Sequence, residues 1–153
     1  MSIACTRAAE ESLIDVGSSL RIGARGPTND GSVFNHTREV GYGLINGSEL
    51  FKTGLNNTAK RVVESLKGRS VYLCFDMDFF DPSCAPGVCT PTWGGATSRE
   101  GLEFLQNLAG LNLVGADINT VSPPHDISGM TAFLAATVGL EILTLFCHSK
   151  NHI

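Results

Sequence analysis

With 153 residues, a formal net charge of -4 and an apolar share of 42%, the chain has the size and composition of one ordinary domain with a core of its own. That composition excludes a disordered segment, and a chain without a Lys/Arg run or basic stripe is not built to bind nucleic acid. The five cysteines are odd in number and scattered, which points to reduced thiols and a cytoplasmic protein.

The start, "MSIACTRAAEESLID", has neither the basic flank nor the apolar core of a signal peptide. "SLRIGARG" (residues 19–26) reads as a short strand ending in glycine, and "PTNDGSVFNHTREVG" as a polar loop. "YGLI" (42–45) is a weak second strand. Leu55, Ala59, Val62, Val63 and Leu66 recur at helical spacing, and Gly68 closes that helix. "SVYLCFDMD" (70–78) is apolar on both faces, as a central parallel strand should be. A long Pro/Gly loop runs to about Ala96, and "TSRE" (97–100) is a capping box for a helix ending at Gly110. "LNLVGADIN" (111–119) is a further buried strand, and the loop "TVSPPHDISG" leads to a last helix. That helix, "MTAFLAATVGLEILTLFC" (130–147), sits at the short end of a membrane span and carries Glu141 and Gly139. It is expected to pack against a sheet, with no membrane involved.

Alternating strands and helices predict an α/β fold with a mainly parallel sheet, whose ligands bind at the carboxyl ends of the strands. Two predicted strands end in acid there, with Asp76 and Asp78 on one and Asp117 on the other. Strand residues two apart share a face, and two like charges in a dry site require a cation. Oxygen ligands suit magnesium, calcium or manganese. The alternative is that these acids cap loops or bind backbone amides. Asp81, before Pro82, reads as a turn former, and Asp126 as a turn or helix-start residue. His125 and Trp93 lie in loops near the strand ends and are expected at a pocket rim. Cys84 and Cys89 share a loop, but no second pair stands at zinc-site spacing, so they read as packing residues. His36 reads as solvated, and His148 and His152 as non-functional residues near the terminus.

"VYLCFDMDFFDPSCAPGVCTPTWGGATSRE" resembles the metal-binding signature of the ureohydrolases, the arginase–agmatinase family. "LVGADINTVSPPHDISGMTAFLAA" and "EESLIDVGSSLRIGARG" are similar to the blocks that follow and precede it. The resemblance implies a three-layer α/β/α fold and hydrolysis of a guanidino compound to urea at a binuclear manganese site (Mn2+), with nickel (Ni2+) as the alternative metal. By position Asp76 resembles the carboxylate that bridges both metals, and Asp78 a ligand of the second. Family members commonly form trimers or hexamers, so a homo-oligomer is expected.

Two departures qualify that picture. Thr120 stands where arginases and agmatinases normally carry the glutamate that pairs with the guanidinium, and a neutral hydroxyl cannot make a bidentate charged pair. The expected substrate therefore shifts toward guanidinobutyrate, guanidinopropionate or guanidine, with Thr120, His125 and Trp93 on the substrate side and Trp93 stacked on the cation. The family's upstream Gly-Gly-Asp-His and Asp-Ala-His-x-Asp blocks, which carry the remaining ligands, have no counterpart here. Residues 1–153 are accordingly expected to be the C-terminal part of a single ureohydrolase domain, truncated at the N-terminus and inactive as an isolated fragment. Its partner would be the missing N-terminal half or a full-length homologue. The competing expectation is a non-catalytic truncated paralogue that associates with a full-length ureohydrolase.

Overall fold

A computed structural model describes residues 3–26 and 32–150, which divide into two compact units, Met1–Lys52 and Thr53–Ile153. His152 and the first five residues of the polar loop after Gly26 lie outside the described residues.

The first unit runs α1 (Ile3–Glu10), β1 (Leu20–Ala24), α2 (Ser32–Glu39), β2 (Gly43–Asn46) and α3 (Gly47–Thr53). The two strands pair in parallel, with Leu20 opposite Gly43 and Ile22 opposite Ile45. Gly43 has to be small, because a Cβ there would lie 2.5 Å from the Leu20 side chain. Tyr42 is buried, and its hydroxyl donates to the Cys5 carbonyl of α1 at 2.7 Å. Both expected strands are present. The segment read as a polar loop instead forms α2, whose described side chains include one buried residue, Thr37. A helix with so narrow a buried stripe gives no apolar periodicity to read. α3 offers no such period either; it is short and opens on a glycine.

The second unit runs α4 (Leu55–Ser65), β3 (Ser70–Asp76), α5 (Ser98–Gln106), β4 (Asn112–Asn119) and α6 (Met130–Lys150). β3 and β4 pair in parallel from Ser70 opposite Asn112 to Asp76 opposite Asn119, with α5 crossing over between them. Leu55, Ala59 and Val62 are the buried stripe of α4, and Gly68 follows it in the left-handed region at φ 75°. The capping box is fully formed: the Glu100 amide donates to the Thr97 hydroxyl, and the Thr97 amide donates to the Glu100 carboxylate.

Two expectations about burial need correction. β3 alternates, with Phe75 buried while Tyr72, Cys74 and Asp76 are exposed, and Val114 of β4 is exposed too. Within this unit helices pack on one face of the pair: a Cβ on Gly139 of α6 would meet Ile118 at 3.6 Å. α6 buries Thr131, Val138, Ile142 and Leu145 and leaves Phe133, Leu140 and Leu143 in solvent. It is long and apolar enough to cross a membrane by length and composition, and 22% of that window is buried.

Candidate functional site at the carboxyl ends of β3 and β4

β3 stops at Asp76, and Met77–Phe79 turns into a single 3₁₀ turn. The turn is anchored by what flanks its acids. Met77 and Phe80 are fully buried, and the rings of Phe75, Phe79, Phe80 and Phe104 contact one another with centroids 5.6 to 6.1 Å apart. Gly101 of α5 makes room for Phe80; a Cβ there would fall 2.1 Å from the ring. Asp78 therefore sits on a turn, not on the strand, and the strand whose two-residue period was to pair it with Asp76 ends two residues before it.

Asp78 is held from two sides. Its backbone N–H donates to the Thr120 hydroxyl at 3.2 Å, and the Thr90 hydroxyl donates to its carboxylate at 2.7 Å. Thr120 follows the end of β4 at φ 71°, left-handed backbone that costs a β-branched residue about 1–3 kcal/mol. Its carbonyl accepts the Cys89 amide at 2.9 Å. Beside it, Val88 bridges Val121 and the Ser122 amide donates to the Gly87 carbonyl at 2.8 Å. The long loop after β3 is thus laced along the loop after β4. Gly87 allows this, because a Cβ there would lie 2.6 Å from the Asp126 backbone.

Asp76 shares the open face of the pair with Tyr72, Cys74, Asp117 and Asn119. The Tyr72 hydroxyl donates to Asp117 at 2.7 Å, which pushes its phenol above the ordinary value. Asn119 donates to the other Asp117 oxygen and lies 3.5 Å from the Cys74 sulfur. Loss of water around that sulfur, then the Asp117 and Asp76 carboxylates, push the Cys74 thiol up to about 12. It is a protonated, unreactive thiol at neutral pH.

The remaining acids are structural, as their sequence context suggests. Asp81 accepts the Ser83, Gly94 and Gly95 amides, and these bonds, Ser83 first, lower its carboxyl to about 2. Asp126 caps α6 through the Thr131 and Ala132 amides, both at 2.9 Å. Desolvation pushes its carboxyl up, but the amides outweigh it and hold it below the usual range. Cys84 points its thiol at the Asp81 carbonyl, 3.3 Å away, as a packing residue would.

Of the residues expected at the site, the structure joins Asp78 directly to Thr120, with Asp76 at the adjoining strand end. His125 is exposed, its Nδ1 2.8 Å from the Ser122 hydroxyl, and Trp93 is 76% exposed. Thr90 carried no signal in the sequence that set it apart. Among the described residues no group of three or more His, Cys, Asp or Glu is placed to hold a metal ion. Asp76 and Asp78 supply a fitting donor type, but two carboxylates do not make a complete transition-metal site.

Comparison with known proteins gives one consistent result. The model of the arginase family matches residues 2–144. A guanidinobutyrase of Pseudomonas aeruginosa is 37% identical over 137 residues, 90% of this chain and 43% of that protein. A guanidinopropionase of the same organism is 38% identical over 143 residues, 94% of this chain and 45% of that protein. Among solved structures, proclavaminate amidino hydrolase from Streptomyces clavuligerus superposes with a TM-score of 0.86 at 34% identity, covering 94% of this chain and 48% of the other. The chain spans less than half the length of the curated relatives it matches.

Proposed function

Because the chain belongs to the arginase family and has its α/β fold, we propose that it contributes the β3 carboxylates, Asp76 and Asp78, to a ureohydrolase that releases urea from a guanidino compound. The observation that carries this reading is the anchored Asp78, fixed by Thr90 and Thr120 at the carboxyl end of a parallel strand beside Asp76. α/β sheets bind their ligands at such ends. Because the described residues do not complete a metal site, the remaining ligands come from a second polypeptide segment, either the other half of the family fold or a full-length homologue. Manganese, or nickel if imidazoles complete the set, is the ion this donor type suits.

This chain's own residues do three things in that reading. Asp76 and Asp78 would hold the divalent ion, with their negative charge offsetting its positive charge. Thr120 offers a neutral acceptor in place of a carboxylate, so a guanidinium gains at most a single hydrogen bond from it. That favours substrates that carry their own acid, and the named activities of the two Pseudomonas relatives support it. Trp93 is exposed and available to stack on a guanidinium, and His125 stands on the neighbouring loop. The five free cysteines fit a cytoplasmic setting.

The test is reconstitution. The chain is co-expressed with the N-terminal segment of the guanidinobutyrase relative, loaded with Mn2+, and assayed for urea release on guanidinobutyrate, guanidinopropionate, agmatine, arginine and guanidine. Urea release from the guanidino acids, lost in Asp76→Asn, is the expected result. A stable complex that releases no urea from any of them sinks the catalytic reading. It would favour the second one, a non-catalytic chain that joins a full-length ureohydrolase, which the lack of a three-ligand group among the described residues also supports.

A further inference from the structure

We infer that Thr120 is a positioning residue for Asp78, the keystone of a closed hydrogen-bond circuit that fixes that carboxylate before anything binds. Three segments meet in it. The Asp78 amide donates to the Thr120 hydroxyl, the Cys89 amide donates to the Thr120 carbonyl, and the Thr90 hydroxyl, one residue after Cys89, donates to the Asp78 carboxylate. Thr120 thus grips the turn with its side chain and the loop with its main chain, and the loop closes the circuit on the acid itself.

The backbone supports this assignment. A threonine held at φ 71° persists only where its surroundings over-determine it, and glycine or asparagine would serve an ordinary turn at less strain. What threonine adds is a hydroxyl at a fixed χ1. The Asp78 amide is the group that hydroxyl receives. The rest of the loop is anchored independently, by the Val88–Val121 bridge and the Ser122 to Gly87 bond, so the circuit is not needed to close the loop. Its distinct product is the orientation of one carboxylate. A preoriented acid loses less side-chain freedom when it takes up a cation, which is how supporting hydrogen bonds tune a site. That functional meaning rests on the proposed role of Asp78; the circuit itself does not.

The circuit is tested by solution NMR on the full chain, with backbone amide exchange and the Asp78 side-chain carboxyl 13C resonance as readouts. Thr120→Ala is expected to speed exchange of the Asp78 amide about five- to ten-fold, the change that one net hydrogen bond of ordinary strength sets. The Cys89 amide, bonded to a main-chain carbonyl, should not follow it. Thr120→Ser should restore the wild-type rate. Thr90→Val should move the Asp78 carboxyl resonance and Thr90→Ser should not; Thr90 is exposed, so this pair keeps the test open if Thr120→Ala does not fold. Unchanged Asp78 exchange in Thr120→Ala, failure of Thr120→Ser to restore it, or an unmoved carboxyl resonance in Thr90→Val overturns the inference. Adding Mn2+ to the wild type co-expressed with the N-terminal segment of the guanidinobutyrase relative separates the two levels. If the Asp76 and Asp78 signals of that complex do not broaden, the metal role fails while the circuit is judged on the exchange data alone.

Discussion

Asp81 and Asp126 accept main-chain amides and are structural. Asp78 accepts the Thr90 hydroxyl, and Asp76 ends β3 on the open face of the sheet. The amide-bound acids have a pH signature. The folded-state carboxyl of Asp81 lies at about 2, below its value in an unfolded chain, so the stability it contributes is present above pH ~4 and disappears as the pH falls toward 2. Asp81→Asn should therefore lose stability at pH 7, where the charged acceptor is removed, and narrow its gap to the wild type near pH 2. Urea unfolding at pH 7, 4 and 2.5 measures that gap, and a gap constant with pH would mean the amides bind Asp81 no better charged than neutral. Thr58 offers a second test. Its hydroxyl is buried without a hydrogen-bond partner, so Thr58→Val should hold or raise the thermal midpoint, since an unsatisfied buried hydroxyl costs about 1–3 kcal/mol. A lowered midpoint would show that the hydroxyl is satisfied in solution.

Elements were legible in the sequence to the extent that their signals are local. The capping box at Thr97–Glu100, the glycine stop at Gly68, the β-branched and aromatic run of β3 and the apolar run of β4 each declare an element by chemistry confined to a few residues, and each element is present, although β3 stops at Asp76. α2 was not legible, because a polar helix with little buried surface has no period. The turn at Met77–Phe79 was not either: "FDMDFF" continues the strand pattern, and what accompanies the end of the strand is the packing of Phe79 on Phe104 and of Phe80 on Gly101 of α5, contacts across roughly 20 to 25 residues. The bonds from Asp78 to Thr90 and Thr120, 12 and 42 residues away, were hidden for the same reason, while Asp76 and Asp78 were legible from charge set in apolar sequence. That packing can be tested at its tightest point. Gly101→Ala would drive a methyl into a rigid, fully buried ring and should cost about 1–3 kcal/mol, with loss of near-UV aromatic signal. A silent substitution would mean Phe80 has another rotamer to move into, and that the turn carrying Asp78 is less firmly held than its contacts suggest.

At the scale of the whole molecule, the chain has family-like segments but leaves broad apolar surface uncovered. β3 and β4 form a two-stranded sheet, so among the described residues each has one edge without a strand partner, and Tyr72 and Val114 are exposed. α6 adds Phe133, Leu140 and Leu143, all more than 60% exposed. Exposed apolar area of this kind drives association, as do unpaired strand edges. The two sources are separable, because the helix face can be made polar without touching a strand. Leu140→Glu with Leu143→Glu should change stability by less than about 0.5 kcal/mol per site, since neither side chain belongs to the core. If the α6 face is where copies meet, sedimentation velocity should show the double variant shifted toward the monomer at concentrations where the wild type associates. If the variant associates as the wild type does, the strand edges are the contact, and a charged residue on the β4 edge becomes the change that disperses it. If instead it unfolds, these leucines are buried in solution by something the isolated fold does not contain, and α6 belongs to a larger core than this chain supplies.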